Sequence, residues 1–265
     1  MSQSSVLPAA GNDAVQPKMP RQIPFIIANE GCERFSFYGM RNILTMFLMT
    51  SLLLSIPEEL RKGEAKDIFH TFVIGVYFFP LLGGWLADRV FGKYNTILWL
   101  SLVYCAGHAC LAIFEHNKNG FYTGLFLIAL GSGGIKPLVA SFIGDQFDQT
   151  NRSLAQKVFD GFYWIINFGS FFASLLMPIF LKQFGASVAF GIPGILMFIA
   201  TFVFWLGRKQ YVRVEPVSND PHAFLVVIRH AILSQGPSGT QSRPGLWLSL
   251  IGFILAILGF FFIPQ

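Results

Sequence analysis

The chain has 265 residues, of which 53% are hydrophobic and only 12% are charged, and its mean hydropathy is +0.55. Water-soluble domains contain about 25% charged and about 45–50% apolar residues, so this composition excludes most soluble folds. The 30 phenylalanines also exceed what one soluble core could bury, because such cores stop growing near about 250–300 residues. Much of the apolar surface must therefore contact lipid.

Net charge and cysteine content exclude further classes of protein. The formal charge is +5, but the Lys and Arg residues form no basic helix with stacking aromatics, as nucleic-acid binding would need. An odd number of cysteines (Cys32, Cys105 and Cys110), without a C-x-x-C spacing, argues against a disulfide framework or a zinc site. His70 and His108 have no acidic or Cys ligand nearby in sequence and are interpreted as structural or interfacial. No metal or cofactor is predicted.

Seven apolar segments each approach the ~20 residues that a helix needs to cross about 30 Å of hydrocarbon. Turn and charge signals separate them. The sequence therefore predicts an all-α integral membrane protein with spans at 23–54, 68–87, 95–114, 121–144, 156–181, 186–206 and 245–263.

The segments outside the spans are polar. Residues 1–22 are predicted to be a disordered cytoplasmic tail. Residues 207–244 are predicted to be a cytoplasmic linker with a short helix over Ala223–Leu233, because Asp220-Pro221 has the pattern of an N-cap followed by Pro at the first helical position. The chain stops at Gln265 directly after a span, so we expect it to be truncated there.

The distribution of Lys and Arg predicts the orientation. One side of the membrane receives only Arg61, Lys62, Lys66, Lys118 and Lys182, whereas the other receives Lys18, Arg21, Arg89, Lys93, Arg152, Lys157, Arg208, Lys209, Arg213, Arg229 and Arg243. Cytoplasmic loops carry the excess of positive charge. The amino terminus is therefore predicted to be cytoplasmic.

The first span carries four ionisable residues, Glu30, Glu33, Arg34 and Arg41, on one helical face. A charge at mid-helix costs about 2.5–3.5 kcal/mol, so four facing lipid would cost on the order of 10 kcal/mol. This face must contact protein or a wet cavity. Two acids beside one fixed cation favour a proton-exchange group, because protonating either acid redistributes the pairing. The alternative is an ion network that only fixes helix packing.

Other polar groups interrupt the later spans. Lys136 is the one charge in the fourth span, within Gly131–Pro137, and needs a carboxylate or an anionic ligand unless it extends to the interface. Tyr77 in the second span and Asn167 in the fifth either contact a solute or form interhelical hydrogen bonds. Asp88 and Arg89 lie at the predicted cytoplasmic border of the second span. They indicate either a charge-paired cytoplasmic latch or ordinary interfacial charge.

Three of these motifs resemble a known family. Glu30-Gly-Cys-Glu33-Arg34-Phe35-Ser-Phe37-Tyr38-Gly39 looks like the E-x-x-E-R-F-x-Y-Y-G signature of proton-coupled oligopeptide transporters (the POT/PTR family), within the major facilitator superfamily, and departs from it at Phe37, where the family commonly has Tyr. The turn Gly83–Lys93 resembles that family's facilitator loop. Phe159–Phe171 resembles its second signature, with Phe168 in place of a smaller aliphatic residue.

The resemblance implies a fold of two six-helix bundles, with 23–206 as the amino-terminal bundle, and import of di- and tripeptides with protons across a bacterial inner membrane. The implied partners are peptides, protons, lipid and a missing carboxyl-terminal bundle, with the proton gradient as driving force. The implied residues are Glu30, Glu33 and Arg34 for proton coupling; Arg41, Lys136, Tyr38, Tyr77 and Asn167 for substrate; and Asp88, Arg89, Gly92 and Lys93 for the cytoplasmic gate.

Alternatives remain at this point. The chain could be a facilitator for nitrate or drugs, or an inert truncated fragment. A membrane enzyme is disfavoured because the sequence contains no metal cluster, no G-x-S-x-G and no nucleophile beside a base. The segment 245–265 either opens the second bundle or is a helix inserted between bundles. Trp247–Phe262 lacks a charge or a central polar residue, which favours the inserted helix.

Overall fold

The computed structural model describes residues 17–217 and, in the last apolar segment, residues 247, 248, 250–252, 254 and 255. The chain divides into two units, Met1–Pro216 and Val217–Gln265. In the second unit, described residues 247, 248, 250–252, 254 and 255 are helical, and Val217 is not. Most of the predicted tail, the linker beyond residue 217 and its short helix Ala223–Leu233 lie outside the described residues.

All regular secondary structure in residues 17–217 is helical, which confirms the predicted all-α fold. The last helical stretch, Ala155–Leu206, is broken at Gly185, whose φ of 82° and ψ of 177° are not helical. We call its two parts α5 (155–184) and α6 (186–206). The preceding helices are α1 Ile23–Phe47, α2 Glu58–Leu86, α3 Gly92–Ile113 and α4 Lys118–Gly144.

Three helical stretches of the described residues are long and apolar enough to cross a membrane: Glu58–Ile113, Lys118–Gly144 and Arg152–Lys209. The first contains α2 and α3, and the last contains α5 and α6. The stretch that contains α1 is not among them, because its ionisable residues lower its hydropathy.

The second helix begins earlier than the sequence predicted. The predicted span starts at residue 68, whereas α2 starts at Glu58, directly after Pro57. Acidic Glu58 and Glu59 in its first turn interact favourably with the helix dipole. Hydropathy marks only the apolar part of a helix, so it missed this polar first part.

A buried aromatic cluster lies between α1, α4 and α6. Phe47 of α1 packs against Phe121 of α4 and Phe190 of α6, with ring centroids 5.1 Å apart in both pairs. The ring centroids of Phe121 and Phe190 are 5.5 Å apart, which closes the cluster. Inside lipid such contacts stabilise by close packing rather than by removal of water. The cluster holds one end of α1 between two other helices.

Helices α2 and α4 approach each other at a pair of glycines. A Cβ atom built on Gly83 would lie 2.6 Å from the Cα atom of Gly134, closer than real Cβ contacts allow. The neighbouring Gly84 has nothing within 4 Å of such an atom. Gly83 is therefore required by backbone contact, and Gly84 is not.

We expect Gly83→Ala to lower the melting temperature of the detergent-solubilised protein, because overpacking of this kind costs about 1–3 kcal/mol. Gly84→Ala, one position along the same helix, is the matched control and should leave the melting temperature nearly unchanged. Equal melting temperatures for the two variants would contradict the proposed close approach of α2 and α4.

Candidate functional site

The centre of the site is an ion triad on α1. Arg34 Nε lies 2.5 Å from Glu30 Oε1 and 3.1 Å from Glu33 Oε2. The relative exposures of Glu30, Glu33 and Arg34 are 0%, 1% and 8%. The i,i+3 and i,i+4 spacings place all three side chains on one face of the helix. The structure thus brings the three predicted proton-coupling residues together around one guanidinium.

The triad leaves hydrogen-bonding capacity unused. Glu30 Oε2 is buried and has no hydrogen-bond partner among the described residues, and Glu33 Oε2 has only its ion pair with Arg34. The other Glu33 oxygen, Oε1, accepts from the Ser132 hydroxyl of α4 at 3.4 Å. Buried polar atoms are rarely left without a partner. Glu30 Oε2 is therefore an oxygen where a proton can bind without displacing a protein donor.

A second buried polar group fixes α1 next to the triad. The Ser36 hydroxyl donates to the Pro193 carbonyl of α6 at 2.6 Å and lies 2.9 Å from His108 Nε2 of α3. A carbonyl cannot donate, so the one hydroxyl proton goes to Pro193 and His108 Nε2 donates to Ser36. His108 also stacks on Tyr104, with ring centroids 5.0 Å apart.

The site prediction did not include Ser36, since its role depends on a residue 72 positions away in sequence. His108 was interpreted as structural or interfacial, and the structure places it in the core. Both residues join α1 to the helices behind it.

Lys136 contacts an aromatic ring. Its Nζ atom lies 3.5 Å from the ring centroid of Phe37 on α1. No carboxylate in residues 17–217 forms an ion pair with it. Of the two partners that the sequence predicted for this ammonium, a carboxylate is not found among the described residues, and an anionic ligand stays a prediction.

Arg41, like Lys136, contacts an aromatic ring. Its guanidinium carbon lies 5.6 Å from the ring centroid of Phe69 on α2, and no described carboxylate pairs with it. Tyr38 lies on α1 between Phe37 and Arg41. It is half-buried and packs edge-on against Phe37. Two cations of the site are thus held by rings, and an anion can approach them without displacing a carboxylate.

Tyr77 and Asn167 lie on exposed faces. Tyr77 is 74% exposed on α2. The side-chain amide of Asn167 donates to the Tyr163 carbonyl of its own helix at 2.8 Å. Neither forms a hydrogen bond with the triad in the part of the chain that the structure describes. Their predicted part in a substrate pocket stays a prediction.

The turn between α2 and α3 contributes to an ion pair that the sequence did not single out. Lys93 Nζ lies 2.7 Å and 2.9 Å from the two carboxylate oxygens of Asp145 at the end of α4. The preceding residue, Gly92, has φ of 75°, which favours glycine. Asp88 is exposed and Arg89 half-buried in the wide helical turn Ala87–Phe91. Spacing alone could not reveal Asp145, 52 residues from Lys93.

We expect Lys93→Met and Asp145→Asn to be coupled in a double-mutant cycle of unfolding, by about 0.5–1 kcal/mol, because the pair is partly exposed. Melting curves of the four proteins measure it. The control cycle combines Lys93→Met with Asp160→Asn, whose carboxylate accepts from Gln156 instead, and should be additive. Additivity in both cycles would contradict the ion pair.

Two family matches bear on this arrangement. Residues 94–243 match PTR2, the POT family, and residues 21–153 match MFS_2, described as MFS/sugar transport protein. The chain belongs to the POT family. The family that the sequence motifs predicted is thereby confirmed.

Curated relatives and solved structures agree with this membership. Over 214 residues the chain is 42% identical to Peptide transporter family 1 of Drosophila melanogaster, covering 76% of this chain and 28% of that protein. Over 239 residues it is 39% identical to Solute carrier family 15 member 2 of Oryctolagus cuniculus, covering 85% and 32%. The chain therefore spans about a third or less of these relatives' length.

Among solved structures, the POT family transporter PepTSo is 72% identical and superimposes with a TM-score of 0.80, over 92% of this chain and 48% of that one. An auto-inhibited POT family peptide transporter is 66% identical with a TM-score of 0.79, over 91% and 48%. These likenesses confirm the major facilitator fold. The chain spans about half of each solved transporter.

Proposed function

We propose that this chain is the amino-terminal half of a proton-coupled symporter that imports di- and tripeptides by alternating access. The observation that carries the proposal is the buried triad of Glu30, Glu33 and Arg34, in which one guanidinium serves two acids. The names of the curated relatives, which include peptide transporters, support the substrate class. A facilitator for nitrate or drugs is not favoured by these comparisons.

The charges of the site suit a peptide zwitterion. A peptide's carboxylate needs cations, and Arg41 and Lys136 are held by rings rather than by described carboxylates. The peptide's ammonium needs an acid, which we assign to a carboxyl-terminal bundle. Tyr38, together with the exposed Tyr77 and Asn167, would hydrogen-bond the peptide at the boundary between the bundles.

The triad provides the coupling. With both acids ionised, Arg34 is shared between them. A proton that binds to Glu33 removes one of the two negative charges that attract Arg34. The guanidinium then pairs with Glu30 alone. Glu33 can then donate to a new acceptor. Proton binding thereby changes the contacts between α1 and α4, which meet at Ser132. The proton gradient is the driving force, and no cofactor is needed.

The domain boundaries and the membrane remain part of the proposal. We assign 23–206 to the six-helix bundle, 207–244 to the linker and 245–265 to a further, inserted helix. We place the protein in a bacterial inner membrane with its amino terminus in the cytoplasm. The positive charge of the predicted cytoplasmic loops supports this orientation. The gate would include Asp88, Arg89, Gly92 and Lys93, and the Lys93–Asp145 pair would stabilise it.

Cysteine labelling tests the orientation. In a variant without native cysteines, His116→Cys in the α3–α4 loop should react with a membrane-impermeant maleimide added outside intact cells. Gln149→Cys in the α4–α5 loop should react only after the cells are opened. Both positions are exposed. The reverse pattern would contradict the assigned orientation.

Transport is tested by acid-driven uptake of labelled dialanine into cells expressing the intact reading frame. We expect saturable uptake. Glu33→Gln should lose proton-driven accumulation by about tenfold or more, while downhill exchange persists, and Arg41→Ala should raise KM by about tenfold, as loss of a charge-assisted contact does.

The matched control is Glu59→Gln, an exposed acid in the first turn of α2, which should transport normally. Accumulation by Glu33→Gln at the wild-type level would contradict the coupling role. No uptake by a well-expressed wild type would remove dialanine as substrate. Unlabelled dipeptides that fail to compete would favour a facilitator of another class.

A further inference from the structure

Phe37 stands where the family signature commonly has Tyr, and the structure gives this position a specific neighbour. The Lys136 ammonium lies 3.5 Å from the centroid of its ring. Cation–π attraction operates within about 6 Å of the centroid, and it strengthens when the pair is shielded from water. Phe37 is only 4% exposed. The contact is therefore close and largely shielded.

The ring is also held in place from two other sides. Tyr38 packs edge-on against it, with centroids 5.5 Å apart. Phe72 of α2 stacks with it at 6.3 Å. Neighbours from α1, α2 and α4 thus surround one side chain. A ring confined in this way can position a flexible lysine.

A ring and a carboxylate satisfy an ammonium differently. A carboxylate neutralises the charge and accepts one or more of the three N–H donors. A ring face attracts the charge but brings no full negative charge that an arriving anion would have to displace. A lysine held by a phenyl ring therefore has no ion pair to break when a new anion arrives. The same lysine held by an acid would first have to break an ion pair.

We propose that Phe37 is a positioning residue, whose ring face holds the Lys136 ammonium in place for the carboxylate of the peptide. This inference rests on the proposed function for its ligand. The contact between Phe37 and Lys136 does not depend on that function and can be tested separately.

The test replaces Phe37 with mono-, di- and trifluorinated phenylalanine by nonsense suppression in the intact reading frame. Fluorine withdraws electron density from the ring face and barely changes ring shape, so a cation–π contact weakens stepwise whereas packing does not. We expect the melting temperature of the ligand-free protein to fall with each fluorine. In a Lys136→Met background, fluorination of Phe37 should leave the melting temperature unchanged. The KM for dialanine should rise stepwise, by about five- to tenfold in total.

Phe72 is the matched control, because it stacks on the same ring and no cation among the described residues lies over it. Fluorination of Phe72 should change neither the melting temperature nor the KM for dialanine stepwise. The contact would be overturned if fluorination of Phe37 left the melting temperature unchanged. It would also be overturned if the melting temperature fell equally in the Lys136→Met background. Normal uptake with an unchanged KM would overturn the positioning role alone. A stepwise melting series without any dialanine uptake would overturn the peptide role and would locate the failure in the proposed function.

Discussion

The pairing of one buried guanidinium with two buried carboxylates is the constraint on which the rest of the structure depends. Arg34 reaches both Glu30 and Glu33 from the same helix face, and none of the three is accessible enough to be solvated by bulk water. Charges in a membrane are stable only where protein or a wet cavity replaces water. This face of α1 must therefore point inwards, and α3, α4 and α6 supply the polar groups that hold it there.

The remaining cations complete the electrostatic design of the site. Lys136 and Arg41 lie over aromatic rings instead of acids. With all five groups ionised, one positive charge is left in excess, which suits a ligand that presents a carboxylate. The acids are thus committed to Arg34, while the ring-held cations remain available. In the proposed function, protonation of the triad and binding of an anion use different residues. The triad and Arg41 lie on α1, and Lys136 of α4 contacts Phe37 of α1, so α1 is a physical route for coupling the two events.

The sequence could predict the parts that are local to one helix. The spacing of Glu30, Glu33 and Arg34 places them on one face whatever the tertiary fold, and hydropathy located the helices apart from the polar first part of α2. The sequence could not predict contacts between residues on different helices. Lys136 could have met a carboxylate or an anion, and only the packing of α1 against α4 shows that it meets Phe37. Asp145 and Ser36 were missed for the same reason, since their partners lie on other helices.

The most direct test of the central claim is infrared difference spectroscopy of the purified intact protein, recorded on addition of dialanine near the pH of half-maximal uptake. The C=O stretch of a protonated carboxyl group should change on peptide binding, and this change should be absent in Glu33→Gln. A carboxyl signal that peptide leaves unaltered, or one that persists unchanged in Glu33→Gln, would contradict the claim that the triad couples proton binding to peptide binding.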